Sequence, residues 1–344
     1  MKQIKTTEAV GHVLCHDITQ IIPGVKKGPV FRKGHIVTAE DIPVLLSVGK
    51  ESLYVWEKQP GMLHEDEAAC ILKEICMKDQ TTMSASGPSE GKITIRAAVN
   101  GLLKVDSRRL EEVNSLGEMM IATVHGNFPV KEGDQIAGTR IIPLVIEERK
   151  MDRARQAAGD TPLLSILPFR QMRAAIVTTG NEVASGRIND AFGPVLKEKL
   201  LEYDAEIIGQ RILPDEPEGI TEAIRYFSDK GADIVLVSGG MSVDPDDRTP
   251  KAIKDTGAEV ISYGAPILPG AMFMLSYLKQ DDRTVAVMGL PGCVMYARRT
   301  VFDLVLPRIM AGERLQASDM YAYGEGGLCL GCDICRFPNC GFGK

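Results

Sequence analysis

The sequence predicts an α/β fold. A three-layer α/β/α domain with a mostly parallel sheet is expected over residues 171–315, with a smaller N-terminal α+β part and a mostly-β part before it. Three observations predict it. From Arg173 onward, short apolar runs alternate with amphipathic ones, the pattern of a parallel sheet with right-handed crossovers. ADIVLVSGG, residues 232–240, is apolar nearly throughout, as a strand buried on both faces is. Before Arg173 the apolar stretches KITIRAAV and GEMMIATV are short and punctuated by Gly101, Gly126 and Gly133, as strands and turns are.

The bulk numbers set bounds. A chain of 344 residues suits about two or three domains. It is 44% hydrophobic and 25% charged, which is globular composition. The net charge of −6 argues against a general nucleic-acid binder, which presents a basic face. A phosphorylated small molecule remains compatible, because backbone N–H groups hold phosphate without net positive charge. No continuous apolar core follows the first lysines, so no signal peptide is read, and no run reaches the ~18 apolar residues of a membrane span. The expectation is a cytoplasmic protein without nucleic-acid or membrane partners.

In order, residues 1–80 mix strands with one or two helices. FRKGHIV reads as strand-turn-strand about Gly34. A short helix should end at Gly49, with SLYVWE as the next strand. Thr38 and Asp41 suggest a capping box, although Pro43 favours a later start. Residues 81–90, TTMSASGPSE, read as a polar linker, 91–148 as mostly β, and 149–170 as a helical connector. AAIVTT is then a strand that breaks at Gly180, VLKEKLLEY a helix, AEIIGQRIL a strand. GITEAIRYFSDKG is a helix with Ile220, Ala223, Ile224 and Phe227 on one face. Thr249-Pro250 reads as the N-cap and first residue of a short helix. AEVISYGAPIL and TVAVMGL are further strands. VMYARRTVFDLVLPRIMAG is a last helix that Pro307 should kink or end.

Ligands in open α/β sheets bind outside the carboxyl ends of the strands. Here those ends carry Thr178-Thr179-Gly180-Asn181-Glu182, then Pro214-Asp215-Glu216, then Ser238-Gly239-Gly240-Met241-Ser242 with Asp244, Asp246 and Asp247 behind. Later come Pro269-Gly270 and Gly289-Leu290-Pro291-Gly292. Glycines let a backbone approach a ligand and expose its amides. Carboxylates at the same rim suit Mg²⁺ held against phosphate oxygens. No GxGxxG follows the first strand and no Gly-Lys-Ser/Thr occurs, so neither a dinucleotide fingerprint nor a Walker loop is present.

Over residues 171–315 these motifs (TTGNE, ILPDE, SGGMSVDPDDRT, ILPGAMF and GLPG) resemble the molybdopterin-binding fold family, its molybdopterin molybdotransferases in particular. Residues 28–57 resemble that branch's accessory domains only loosely. The resemblance implies a reaction: adenylylated molybdopterin and molybdate give molybdenum cofactor and AMP with Mg²⁺ assistance. It implies Asp247 and Asp215 as catalytic residues, Asp247 also holding Mg²⁺. It implies Thr179, Gly180, Glu182, Ser238, Gly239, Gly240, Ser242, Pro269, Gly270, Pro291 and Gly292 as substrate-binding residues. It also implies a homodimer. The chain departs from the family at Asn181 (usually Asp), at Ala271 (usually Lys) and at Gly292-Cys293-Val294 (usually Gly-Asn-Pro). Those departures keep a second reading open, a carrier that hands cofactor to a molybdoenzyme. A more distant reading is cleavage of pyridine or ADP-ribose nucleotides.

Eight cysteines suit disulfides poorly in a reducing compartment. Cys329, Cys332, Cys335 and Cys340, in residues 316–344, follow C-x2-C-x2-C-x4-C. This spacing suits an iron–sulfur cluster or a zinc ion, and the tail also suits docking of a molybdoenzyme or maturation factor. Cys15, Cys70, Cys76 and Cys293 are scattered and read mostly as small core residues. Glu65-Asp66-Glu67 reads as a solvated helix face, and Met119-Met120-Ile121 as core.

Overall fold

Successive residues in the strands of the α/β unit belong to opposite cores. Ala174, Ile176, Ile234, Leu236, Ala286 and Met288 join one apolar cluster, whereas Ala175, Val177, Val235, Val237, Val285 and Val287 join another. This period-two alternation covers both faces of one sheet. The computed structural model describes residues 2–344 except 23–25, 56–59, 243, 245 and 246. Asp246, Trp56 and Glu57, named above, therefore lie outside the described residues.

The chain divides into two compact units. The first takes residues 1–98, 105–124 and 132–165, and the second takes 99–104, 125–131 and 166–344. In the second, six strands form one sheet: β1 Arg173–Thr179, β2 Glu206–Leu213, β3 Ile234–Ser238, β4 Glu259–Tyr263, β5 Met274–Gln280 and β6 Arg283–Leu290. Their order is β2-β1-β3-β6-β5-β4. The pairs β1–β2, β1–β3 and β3–β6 are parallel, as expected of a mostly parallel sheet. The pairs β5–β6 and β4–β5 are antiparallel. Strand β5 is absent from the expectation. Its hairpin to β6 turns on Asp281-Asp282, with Asp281 at φ 52°, and lacks the Asn-Gly or Asp-Gly signal that marks such turns.

Helices α1 Phe192–Leu201 and α4 Val301–Met310 supply Leu196, Leu200, Phe302 and Val305 to the first cluster. Helices α2 Pro217–Asp229 and α3 Thr249–Asp255 supply Ile220, Ile224, Phe227 and Ile253 to the second. Fully burying one such side chain stabilises by ~1.5–3 kcal/mol. The expected last helix is corrected in two ways. Gly292–Met295 forms a separate 3-10 turn, and α4 starts only at Val301. There Thr300 and Asp303 build a capping box: the Phe302 N–H donates to Thr300 Oγ1 at 3.2 Å and the Thr300 N–H to Asp303 Oδ2 at 2.7 Å. Pro307 sits inside the helix instead of ending it. All ten residues of α4 are buried, and their packing outweighs the missing N–H. Asp303 also pairs with Lys199 Nζ at 2.6 Å and Arg299 Nη1 at 2.8 Å, which neutralises its buried charge.

In the first unit, strand Lys2–Lys5 pairs with Ser52–Val55, and Ile18–Ile22 with Lys26–Phe31. The strand-turn-strand expected of FRKGHIV is instead a strand that ends at Phe31. Beyond the Gly34 turn Ile36 forms an isolated bridge to Val13. Helix Asp41–Ser47 tolerates Pro43 in its first turn, where no intrahelical N–H bond is needed, and Asp41 Oδ2 accepts from the Thr38 N–H at 2.8 Å. A four-stranded sheet runs Met83–Ala85, Lys92–Ala97, Gln135–Ile141, Met119–Thr123. Met83–Ala85 thus pairs as an edge strand within the stretch read as a linker. Helices Glu65–Met77, Ser107–Asn114 and Glu148–Ala158 also belong to the unit, the second of them inside the stretch read as mostly β. The Glu65-Asp66-Glu67 run is solvated only at Glu67. Glu65 is 8% exposed, Asp66 pairs with Lys33 at 2.8 Å, and Glu67 Oε2 accepts from the His64 N–H at 2.9 Å, closing a helix N-terminus. Among the described residues no helix is long and apolar enough to cross a membrane.

Candidate active site

Thr178 pairs with Ile212 and with Ser238, and Ser238 pairs with Leu290. These four residues form one row across the parallel strands. The chain that leaves them, at Gly180, Asp215, Gly239 and Pro291, therefore emerges along one edge. Tyr263 pairs with Met274, and Met274 with Gly289, so the loop that carries Pro269 and Gly270 opens on the same edge.

A notch forms where β1 and β3 end. Gly239 and Gly240 have φ of 94° and 55°, a region unfavourable to side chains. A Cβ on Gly239 would meet Thr179 O at 2.2 Å, so that glycine is required for packing. A Cβ on Gly240 would lie 2.9 Å from Thr249 Oγ1, 3.4 Å from Thr179 Oγ1 and 3.5 Å from Asp215 Oδ1. The bare Cα of Gly240 thus faces two hydroxyls and a carboxylate. The hydroxyls of Thr179 and Thr249 lie 3.3 Å apart. The Thr249 N–H donates to Gly240 O at 3.2 Å and closes the neck of the loop that bears Ser242, Asp244 and Asp247. Thr249 was expected as a helix cap. It is the first residue of α3, with Arg248 at the cap position, and its hydroxyl is turned into the notch.

Asp215 is held by Asn181. The Asn181 N–H donates to Asp215 Oδ2 at 3.0 Å, and the Asp215 N–H to Asn181 Oδ1 at 3.3 Å. Asp215 Oδ1 is buried and has no hydrogen-bond partner among the described residues, and the same holds for Ser238 Oγ. Asp215 Oδ1, a buried acceptor left open beside the glycine notch, suits a ligand or ion that supplies its partner. At the loop, the Asp247 N–H donates to Asp244 O at 2.9 Å and the Asp244 N–H to Asp247 Oδ2 at 3.3 Å, so Asp247 is oriented by its own turn. Tyr263 Oη donates to Met241 O at 3.2 Å. Burial and the charge of Asp247 push its phenol pKa upward.

Other predicted residues are placed differently. Glu182 and Ser242 are exposed, and Glu182 stands on a short helix at Asn181–Ala184. A Cβ on Gly270 would meet Val301 at 2.5 Å, so its bare Cα serves the approach of α4. Pro291 is buried, Gly292 exposed, and burial raises the half-buried Cys293 thiol's pKa. Tyr263, Gln210 and Asp190 escaped the sequence reading; Gln210 Nε2 donates to Thr178 Oγ1 at 3.1 Å and to Asp190 Oδ2 at 2.6 Å. No local motif marks them, since Gln210 lies mid-strand and Tyr263 one strand beyond the glycine turns.

The tail cysteines are not gathered: Cys329 and Cys340 are half-buried, and Cys332 and Cys335 are exposed. Among the described residues no three His, Cys, Asp or Glu side chains converge as a metal site.

A family profile described as "Probable molybdopterin binding domain" matches residues 175–311, the segment that builds this edge. Residues 175–311 belong to the molybdopterin-binding domain family. A second profile, described only as a domain of unknown function, matches residues 3–57. Curated relatives of the chain include a "CinA-like protein" of Mycobacterium avium, 40% identical over 81 residues, covering 24% of this chain and 19% of that protein. Another, of Mycobacterium tuberculosis strain H37Ra, is 37% identical over 81 residues, with the same coverage. The match thus spans about a fifth of the curated relatives' length. Among solved structures, the tungsten cofactor synthesizing protein MoaB of Pyrococcus furiosus is 22% identical, with 36% of this chain and 84% of that one covered and a TM-score of 0.33. The molybdopterin biosynthesis enzyme MoaB of Thermus thermophilus is 22% identical, covering 42% and 98%, with a TM-score of 0.34. The molybdopterin-binding domain thus has its glycine notch, its open carboxylate and its hydroxyls on one sheet edge.

Proposed function

We propose that this domain binds adenylylated molybdopterin at the carboxyl edge of its sheet and transfers molybdate to it with release of AMP. One observation carries the reading. The bare Cα of Gly240 faces Thr179 Oγ1, Thr249 Oγ1 and Asp215 Oδ1, and the last is a buried oxygen without a partner among the described residues. In this reading the Gly239-Gly240 backbone and the two threonine hydroxyls hold the phosphate bridge. Ser238 Oγ, also buried and open, adds a hydrogen bond from the strand end. Water supplies the oxygen of the new P–O bond as the phosphoanhydride bond breaks and AMP leaves. The two dithiolene sulfurs bond to molybdenum while one molybdate oxygen departs as water with the two thiol protons.

The open carboxylate oxygen Asp215 Oδ1 fits Mg²⁺, a hard cation that takes carboxylate oxygens, and Asp247, half-buried in the loop that leaves Gly240, is the second carboxylate assigned to it in this reading. When bound, Mg²⁺ supplies charge neutralisation at the phosphate oxygens. Asn181 holds Asp215 through its backbone and side chain, so that Oδ1 turns toward the notch. Asp244 and Asp247 orient each other, and Tyr263 ties down the start of their loop.

A second reading, a carrier that binds cofactor without turnover, is favoured by Ala271. Its side chain supplies no cation, and its carbonyl accepts from the Ala265 N–H at 2.9 Å. The charge-assisted hydrogen bond that a lysine gives to an anion, worth ~1.5–3 kcal/mol, is absent there. The test is incubation of the full chain with adenylylated molybdopterin, molybdate and Mg²⁺, with AMP measured by chromatography. Transfer predicts molybdate-dependent AMP and at least a ~100-fold slower rate for Asp247→Ala. Tight binding without AMP leaves the carrier. Hydrolysis of pyridine or ADP-ribose nucleotides instead would overturn both readings.

A further inference from the structure

The four-cysteine tail is a closed loop fastened to the edge that carries the site. Its neck is drawn together by the Gly343 N–H, which donates to Gly326 O at 2.9 Å. Just inside the neck, Leu328 bridges Leu268 in parallel register: the Leu268 N–H donates to Gly327 O and the Cys329 N–H to Leu268 O, both at 2.8 Å. Leu268 directly precedes Pro269 and Gly270. The far side is held by Phe337, whose ring lies 5.8 Å from that of Phe128 and 6.3 Å from that of Phe342. Cys329 and Cys340 both pack against the apolar cluster beneath. Between these anchors, residues 330–336 contain no helix or strand, and they carry Cys332 and Cys335 exposed. The middle of the loop is tied where Arg298 Nη1 donates to Asp333 O at 2.6 Å.

We propose that Cys329, Cys332, Cys335 and Cys340 close around a thiophilic metal centre, a zinc ion or an iron–sulfur cluster, and that this centre is a strut for the Pro269–Gly270 loop. The spacing places three thiols within seven residues and brings the fourth back across Pro338. Two of the four ligands are already anchored, so ligation has only residues 330–336 to order. Loop closure costs little more for a loop whose ends are fixed. Metal capture and local folding are coupled in such loops, so a gathered thiol set is not a precondition. On ligation each thiol gives its proton to solvent. The resulting negative charge faces Arg298, which already reaches the loop, and Arg299, whose guanidinium sits 5.1 Å over the Phe337 ring. Ordering of residues 328–340 then passes to Leu268 through the two backbone hydrogen bonds at Leu328. The metal centre stands independently of the function proposed above, and only the significance of the rim rests on that reading.

The experiment uses the full chain purified anaerobically, without any pterin ligand. Zinc, iron and acid-labile sulfide are counted before and after reconstitution with zinc alone or with iron and sulfide. Bound metal of about one zinc, or about four iron with matching sulfide, is expected, and these arms separate the two centres. The double variant Cys332→Ser/Cys335→Ser alters two exposed side chains and should fold as the parent does. Its metal content should fall at least tenfold with the circular dichroism spectrum unchanged. Amide exchange at Ile267, Leu268 and Gly270 should slow at least fivefold on loading in the parent and not in the variant. Metal below about a tenth of an equivalent under both reconstitutions, or equal metal in parent and variant, would overturn the centre. Full loading with unchanged exchange at Ile267, Leu268 and Gly270 would overturn its role as a strut.

Discussion

Asn181 and Asp215 grip each other across the ends of neighbouring strands, each donating its backbone N–H to the other's side chain, at 3.0 and 3.3 Å. The pair leaves Asp215 Oδ1 facing the Gly240 notch. An aspartate at 181 would keep the acceptor but set a second negative charge against Asp215. Two like charges ~4 Å apart at a partly exposed site cost about 1 kcal/mol or somewhat more. Asn181→Asp is therefore expected to weaken binding of a phosphate-bearing ligand about fivefold without Mg²⁺. Excess Mg²⁺ should restore it. Titration at two Mg²⁺ concentrations checks this, and equal losses at both would contradict the assignment.

The two glycines of the notch should separate structure from binding. In Gly239→Ala the new Cβ meets backbone at 2.2 Å, which nothing can yield to. A loss of about 3 kcal/mol or more in stability is expected. In Gly240→Ala the Cβ meets a threonine hydroxyl and a carboxylate at 2.9–3.5 Å. About 1–2 kcal/mol is expected there, mostly from its φ of 55°. Denaturant unfolding of both variants tests the ranking.

Ser238 offers the opposite test. Its hydroxyl is buried without a partner among the described residues, so Ser238→Ala removes an open polar group from the free protein. The melting temperature should stay level or rise by a degree or two, because losing an unpaired buried hydroxyl is neutral or stabilising. Ligand affinity should fall about threefold to tenfold if the hydroxyl serves the ligand. A marked loss of stability would show instead that Ser238 holds the fold.

The first unit carries a pH dependence of its own. Burial first, then the neighbouring charge of Asp66, raises the Glu65 carboxyl to about 7, with Glu90 adding and Lys33 and Arg140 opposing. A folded-state pKa above the ordinary 4.5 means that stability is whole below 4.5 and is lost as pH rises to about 7. His16 and His64, lowered mainly by burial, act in the reverse sense below pH 6.5. Glu65→Gln removes only the first effect. Its melting temperature relative to the parent should rise by about 2–6 °C between pH 5 and pH 8. A flat difference across that range would contradict the burial of an ionisable Glu65.

Much of the α/β unit was legible in the sequence because its signals are local. ADIVLVSGG announces a doubly buried strand, and Ile220, Ala223, Ile224 and Phe227 announce a helix face, and both are found. Strand β5 was hidden because its turn is Asp-Asp. The start of α4 at Thr300 was hidden because a capping box there overrides the helical character of the residues before it. The glycine turns at Gly239 and Gly240 were legible, since a positive φ leaves its mark in composition. The notch role of Thr249, and the bonds of Tyr263 to Met241 and of Gln210 to Thr178, were not, because they depend on which strands lie side by side. A metal-binding role for the four tail cysteines was read from spacing alone, and spacing does not fix where the loop's ends are tied.

The central claim is that the Gly240 notch holds the phosphates of a pterin nucleotide. Isothermal titration of the full chain with adenylylated molybdopterin in Mg²⁺, for the parent and for Gly240→Ala, tests it most directly. The account predicts micromolar or tighter binding by the parent and at least a tenfold weaker dissociation constant for the variant, with both folded. Equal affinity in the two proteins, or no binding by the parent, would contradict it.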